Sequence, residues 1–287
     1  MNIRQARKKI KSVGNVKKIT KAMQLVSAIK MKRAQQLAVE GKPYQIHLEA
    51  SIKKIIAKID TSHSLLFEDK KDRAVKKDLS IVVSSNKGLC GGFNMNLFRF
   101  ILKNTDLKST DLVIVGKKAS LLGRLGGNVV ADFSSNNPLE TVSALFNLAL
   151  THFIDKTYAH IYLYFNTFIS TLKVEPTKQT LLPVNVLLDS TDKGDEIGLK
   201  KEYIIEPSPE EIIDSLLKSF IQEKIQYALI QSEAGEHSSR MIAMKNATDN
   251  ANDVLYNLTM LRNKLRQEKI TNELLDMVTA KESVEQS

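Results

Sequence analysis

Between Pro209 and the C-terminus, apolar residues recur in steps of three and four. They run Ile213, Leu217, Phe220, then Met241, Met244, Ala247 and Ala251, then Val254, Leu258, Leu261 and Leu265. This spacing traces one stripe along a helix, and its last part approaches the 3.5-residue repeat of a coiled coil. No proline follows Pro209, and Gly235 is the one glycine in the stretch. Ser208, Pro209, Glu210 and Glu211 read as an N-cap, a first-turn proline and first-turn acids. A helix carrying the whole pattern would be roughly 110 Å long at 1.5 Å per residue. It cannot bury its stripe in a local core, so it needs a partner along its length. Residues 2 to about 58 supply a second long pattern: Ile10, Val13, Val16, Ile19, Met23, Val26 and Ile29, then Leu48, Ile52, Ile55, Ile56 and Ile59. Pro43 beside Gly41 predicts a bend in this helix rather than its end. Two long helices at opposite ends of one chain predict an antiparallel pair with a globular insertion between them.

The middle of the chain changes period. Residues 60–77 are polar and read as a loop. Beyond them, Leu79–Val83, Leu112–Val115, Val129–Ala131 and Ala159–Ile169 are short β-branched or aromatic runs. Helical segments lie between them at Asn94–Lys103, Lys117–Leu125 and Pro138–Phe153. This alternation predicts a parallel sheet with helices on its faces. A fifth strand is expected within Glu175–Leu187, where Pro176 and Pro183 point to a sheet edge. Asp189–Lys201 is polar and reads as a loop. The expected class is α+β: a coiled-coil stalk of residues 1–58 and 208–287, a linker over 59–77, and a Rossmann-like α/β domain over 78–206 with a mostly parallel five-stranded sheet.

Candidate chemistry is sparse. Ser84 to Phe93, including Gly88, Gly91 and Gly92, follows the first strand and precedes a helix, where a phosphate-binding loop would sit. Its G-x-x-G-G spacing departs from the dinucleotide fingerprint, and Lys87 precedes its glycine rather than following it. A tight strand-to-helix turn is the better reading. The only cysteine, Cys90, has no companion for a disulfide and reads as a small buried residue. The five histidines are scattered. Glu233 and His237, at i,i+4 spacing, read as a surface pair. No triad, metal cluster or acid–base pair emerges, so neither a catalytic site nor a cofactor is expected.

Charge is unevenly spread. The chain of 287 residues has a net charge of +10, yet residues 1–58 hold fifteen Lys and Arg against Glu40 and Glu49. The remainder is therefore net acidic. A basic helix of this kind is a solvated face, a binder of nucleic-acid phosphates, or a surface drawn to an acidic protein around it. The absence of Trp, with Tyr44 as the one ring in the basic stretch, argues against base stacking. No apolar run reaches the ~20 residues that span a bilayer, and the basic start lacks the apolar core of a signal peptide.

Several separate motifs resemble one family, in order and essentially end to end. Ile19-Thr20-Lys21-Ala22-Met23, with Val26 and Lys32-Arg33-Ala34-Gln35, resembles the N-terminal helix of the gamma subunit of F-type ATP synthases. Gly88 to Asn94 is similar to that family's central glycine motif. Arg240-Met241, Ala243-Met244 and Ala247 to Ala251 resemble its C-terminal helix, as do Arg266-Gln267 and Ile270 to Leu274. The resemblance implies a central rotary shaft without a catalytic site of its own. Its coiled coil would sit inside a hexamer of alpha and beta subunits, and its α/β base would contact the epsilon subunit and the membrane c-ring. It implies that Arg266 and Gln267 hydrogen-bond an acidic loop of a beta subunit, with Thr271 and Glu273 nearby, and that Met23 faces the beta subunits. Glu268 and Lys269 stand where the family usually has small or apolar residues, and the end of the chain is polar. The implied location is the cytoplasmic face of a bacterial inner membrane, as a peripheral protein; the start of the sequence fits a bacterial rather than an organellar member. Two other classes remain open at this point: a basic coiled-coil nucleic-acid binder, and a nucleotide-binding enzyme using the Gly88–Gly92 turn.

Overall fold

The computed structural model describes residues 1–56, 65–67, 77–135, 137–184, 205–206 and 208–285. Thirteen elements follow one another: α1 (Ile3–Ile56), a 3-10 turn (Leu65–Phe67), β1 (Asp78–Val83), α2 (Phe93–Asn104), β2 (Thr110–Val115), a 3-10 turn (Lys117–Ala119), α3 (Ser120–Arg124), β3 (Asn128–Asp132), a 3-10 turn (Pro138–Thr141), α4 (Val142–Ile154), β4 (Ile161–Phe168), β5 (Val174–Leu182) and α5 (Pro209–Glu285). The two terminal helices pack together as an antiparallel coiled coil, and a mostly parallel five-stranded sheet lies between them in sequence, the α+β arrangement expected. The chain divides into two compact units, Met1–Ser27 with Arg240–Ser287, and Ala28–Ser239.

In the second unit the strand order is β3-β2-β1-β4-β5. β1 pairs in parallel with β2 and β4, β2 pairs in parallel with β3, and β5 closes one edge antiparallel to β4. The edge position suits Pro176, which has no N–H to offer a neighbour. Alternation along β1 divides the core. Leu79, Ile81 and Val83 face one layer with Val113, Leu163, Leu145 and Phe153. Val82 faces the other with Leu97, Ile101, Leu122 and Tyr164. The first layer also takes in Leu48 and Ile52 of α1 and Ile213, Leu217, Ile221 and Ile225 of α5, so both long helices contribute to the core of this unit.

The start signal of α5 acts as the sequence predicts. Ser208 caps α5, its Oγ accepting from Glu211 N at 3.3 Å. Pro43 lies on the exposed side of an uninterrupted α1, where the hydrogen bond that it cannot make costs least. The polar 60–77 reading needs correcting at one point. Leu65–Phe67 is a 3-10 turn whose Leu66 and Phe67 are buried in the core; the rest of that stretch, apart from Lys77, and all of Asp189–Lys201 lie outside the described residues.

A second correction concerns the coiled-coil seam of the first unit. Val16, Ile19, Val26 and Ile29 are exposed, not buried. The seam instead follows the buried and half-buried positions Ile3, Ala6, Ile10, Val13, Lys17, Thr20, Gln24 and Ser27, alternating by three and four, with Gly14 and Met23 half-buried at its flank. On α5, Val254 and Leu261 are exposed, and the protected positions are Met244, Thr248, Ala251, Leu255, Leu258, Arg262 and Leu265. Polar residues thus share the seam with Ile3, Ile10 and Val13, while Val16, Ile19 and Val26 of α1 are turned outward. Thr20 Oγ1 and Thr248 Oγ1 meet across this seam at 2.8 Å.

Candidate partner-binding surface

Past Leu265 the seam ends. Every residue from Arg266 to Lys281 is exposed, although the segment remains helical. Helical spacing puts Arg266, Ile270, Glu273 and Met277 on one side, with Gln267, Thr271, Leu274 and Val278 beside them. Charged, amide and apolar groups thus share a single face. Ile270, Leu274, Met277 and Val278 are each about half exposed or more.

Weak pairs surround Arg266. Lys264 Nζ lies 4.0 Å from Glu268, and Lys269 Nζ lies 3.3 Å from Glu273. Both are exposed i,i+4 pairs with the lysine on the N-terminal side, the less favourable order, and contribute only tenths of a kcal/mol. Glu273 can leave Lys269 for another partner at little cost. Among the described residues, no side-chain hydrogen bond or ion pair engages Arg266 or Gln267.

Met23 belongs elsewhere on the helix pair. It is half-buried, flanks the seam, and its carbonyl accepts from Ser27 Oγ at 2.7 Å. It lies one turn from Thr20, whose partner Thr248 precedes Arg266 by about 27 Å of helix at 1.5 Å per residue. The five candidate residues therefore form two surfaces rather than one site. Sequence reading missed the companions of Met23: Val16, Ile19 and Val26, exposed apolar residues beside Lys18 and Lys21, which are also exposed. Counting heptads through the small residues, instead of through the large ones, would have revealed them.

In the second unit, α5 is gripped by the sheet domain. Gln231 Oε1 accepts from Phe168 N at 3.1 Å, and Ser238 Oγ donates to the Thr171 carbonyl at 2.6 Å. Between them Gly235 lets the strand approach: a Cβ there would stand 2.9 Å from Val174 Cγ1 and 3.3 Å from Phe93 Cε2. The β4–β5 hairpin and the start of α2 thus hold the helix by both hydrogen bonds and close packing.

The glycine loop is a closed turn. Ser84 Oγ accepts from Ala119 N at 2.9 Å and donates to the Gly116 carbonyl at 2.9 Å. Lys118 N donates to the Ser85 carbonyl at 3.1 Å. Asn94 accepts from Ser85 N at 3.1 Å and donates to Ser85 Oγ at 2.7 Å, while Asn86 Oδ1 takes Lys117 N at 3.1 Å. Gly116, at φ +97°, brings β2 so near Ser84 that a Cβ would lie 2.1 Å from its carbonyl oxygen. At the end of the loop Phe93 N donates to the Cys90 carbonyl at 3.3 Å. Cys90 is buried and accepts from Asn94 Nδ2 at 3.3 Å.

At the other end of the strands, Asp111 is a buried carboxylate holding three elements together. It accepts from Lys77 Nζ at 3.0 Å, Asn128 Nδ2 at 2.8 Å and the Tyr158 hydroxyl at 3.0 Å. Burial alone would raise its pKa. The hydrogen bonds from Asn128, Lys77 and Tyr158, with the Lys77 charge, outweigh burial and hold it below the ordinary value. Burial, then the hydrogen bond and charge of Asp111, push Tyr158 up to about 12.

Similarity to known proteins follows the whole length of the chain. A family model described as ATP synthase matches residues 2–284. The ATP synthase gamma chain of Akkermansia muciniphila is 34% identical over 292 residues, spanning 99% of both chains. The chain belongs to the ATP synthase gamma-chain family. Another relative, the ATP synthase gamma chain of Glaesserella parasuis, is 36% identical across 96% of both chains. Among solved structures, the central stalk and c-ring of the Tetrahymena thermophila mitochondrial ATP synthase contains a chain with TM-score 0.60 and 25% identity, matched over 80% of this chain and 99% of that one. A chain of the Euglena gracilis mitochondrial ATP synthase has TM-score 0.68 at 16% identity, over 98% and 94%, and shares the fold. No described helix is long and apolar enough to cross a membrane.

Proposed function

We propose that this chain is the central rotary shaft of an F-type ATP synthase, turning within a hexamer of alpha and beta subunits and carrying no catalytic site. Residues 1–58 and 208–287 form the shaft, and the α/β domain over 78–206 forms its base, which meets the epsilon subunit and the membrane c-ring. Ion flow turns the ring and the base, the base turns the shaft through the grip on α5, and the shaft drives the beta subunits through their states. ATP hydrolysis on the hexamer runs the same linkage backwards. The complex works at the cytoplasmic face of a bacterial inner membrane, where this chain is a peripheral component.

The observation that carries this reading is the exposed helix beyond Leu265, which presents Arg266, Gln267, Thr271 and Glu273 among apolar residues and has no cover of its own. Those four residues contact a beta subunit, and Met23 contacts beta subunits from the second surface with Val16, Ile19 and Val26. The basic face of α1 suits acidic surroundings through many weak contacts, which a rotor can leave as readily as it enters. The test is purification of the tagged chain in mild detergent from cells that express it. Recovery of alpha, beta, epsilon and c subunits with it is expected. Recovery of the chain alone, from cells whose ATP synthase is intact, would contradict the proposal.

A further inference from the structure

Three arginines converge at one end of the first unit. There Ile3, Ala6, Ile10 and Val13 of α1 and Leu258, Arg262 and Leu265 of α5 take the seam positions. Arg7 directly follows Ala6, Arg4 lies one turn before it, and Arg266 directly follows Leu265. In an antiparallel pair, residues that follow equivalent seam positions on the two helices share a flank, so Arg4, Arg7 and Arg266 lie on one side. Lys9, which precedes Ile10, lies on the other. Thr20 Oγ1 and Thr248 Oγ1, 2.8 Å apart, show which residues are level. Counting outward from them, Arg4 is level with Lys264 and Arg7 with Leu261. Arg266 therefore stands only about 3 Å and about 8 Å further along the axis.

All three arginines are exposed. Among the described residues, none of their guanidinium groups has a hydrogen bond or an ion pair. No acid stands in the first turn of α1. Arg4 and Lys8, and Arg7 and Lys11, are like charges at i,i+4 spacing, which opposes the helix, and the positive end of the helix dipole adds to the repulsion at Arg4. The fold by itself gains nothing from this arrangement. A guanidinium does offer a planar fork that takes a carboxylate through two parallel hydrogen bonds. Asp253 and Glu273 of α5, both exposed, bound the cluster along the axis. It therefore fits a short acidic segment and would repel an extended polyanion at both ends.

We propose that Arg4 and Arg7 belong to the same contact as Arg266, the three guanidinium groups together holding the carboxylates of one acidic loop of a beta subunit. This contact rests on the reading of the chain as a shaft within the hexamer, and it extends the beta-binding surface from α5 onto the start of α1. Beyond Leu265 the single helix offers the loop Arg266 and Gln267; the first two turns of α1 supply the rest of the positive charge.

The test is the affinity of the full chain for a hexamer of alpha and beta subunits prepared without it, measured over a range of salt concentrations. Arg4→Gln and Arg7→Gln should each weaken binding about ten-fold at low salt, as for loss of one charge-assisted hydrogen bond, and should make binding less sensitive to salt. Lys9→Gln removes the same charge from the opposite flank and should change affinity by less than about two-fold. Arg7→Lys keeps the charge without the fork and should recover only part of the affinity. In an Arg266→Gln background, Arg7→Gln should cost less than in the native chain, because both side chains hold one loop. A native chain that binds the hexamer no better than the two arginine variants would overturn the shared contact and leave the shaft standing. Equal losses from Lys9→Gln and Arg7→Gln, or full additivity with Arg266→Gln, would overturn it too. A native chain that does not bind the hexamer would overturn the shaft reading itself, and this contact with it.

Discussion

Gly235 is the point where the sheet domain and α5 come closest, and Gly235→Ala separates two effects of opposite sign. Within a helix, replacing glycine with alanine gains about 1 kcal/mol from reduced unfolded-state freedom. Here the new Cβ would stand 2.9 Å from Val174 Cγ1, 3.6 Å from Cγ2 and 3.3 Å from Phe93 Cε2. Val174 is β-branched and anchored in β5, so its methyl cannot swing aside as a long side chain would. Forcing such a methyl into close-packed surroundings costs about 1–3 kcal/mol. The clash outweighs propensity, and a net loss of about 1 kcal/mol is expected. Urea titrations followed by circular dichroism would measure it, with Val174→Ala as the second arm. Truncating Val174 removes both methyls, so in that background Gly235→Ala should become neutral or stabilising. A gain of about 1 kcal/mol from Gly235→Ala in the otherwise native chain would refute the reasoning, because the helix would then have room.

Asp111→Asn should lower stability at neutral pH by about 1–3 kcal/mol, through loss of charge-assisted hydrogen bonds. The folded carboxyl has a depressed pKa, so its contribution is present above the ordinary value of 3.8 and is lost as pH falls through the folded value. Native and variant proteins should therefore converge in acid; a constant difference down to pH ~2 would contradict the network. Tyr158, raised to about 12, contributes below the ordinary tyrosine value and loses that contribution as pH rises through 12. Tyr158→Phe should accordingly flatten the alkaline limb of stability against pH, and an unchanged limb would count against it. Ser80 Oγ is fully buried without a hydrogen-bond partner. Ser80→Ala should thus raise stability by up to about 1 kcal/mol in thermal unfolding, and a loss would mean that the hydroxyl has a partner. Arg266→Ala should leave stability within about 0.5 kcal/mol, as for an exposed position, while reducing ATP-driven ion pumping several-fold in inverted membrane vesicles. Normal pumping would remove Arg266 from the proposed contact with beta.

The sheet was legible because its signals are local. β-branched runs mark β1 and β2, prolines mark the β5 edge, and Ser208 marks the start of α5. The seam was not, because large aliphatics dominate any periodicity read from sequence, whereas Lys17, Thr20, Gln24 and Ser27 carry almost no hydrophobic signal. Val16, Ile19, Val26 and Ile29 show a helical stripe correctly but not which way it faces. Leu66 and Phe67 were hidden by the polar residues around them. The Asp111 network joins residues far apart in sequence, so no spacing announces it. Arg266, Gln267, Thr271 and Glu273 came from the family resemblance; local chemistry marks them only as exposed helix residues.

Rotation tests the central claim most directly. The complex would be fixed to a surface through its beta subunits, and a gold particle attached to this chain at Lys108, an exposed position between α2 and β2. On addition of ATP, the particle should turn in one direction in discrete steps, and Arg266→Ala should weaken the torque. Sustained ATP hydrolysis with a stationary particle would contradict a rotary shaft.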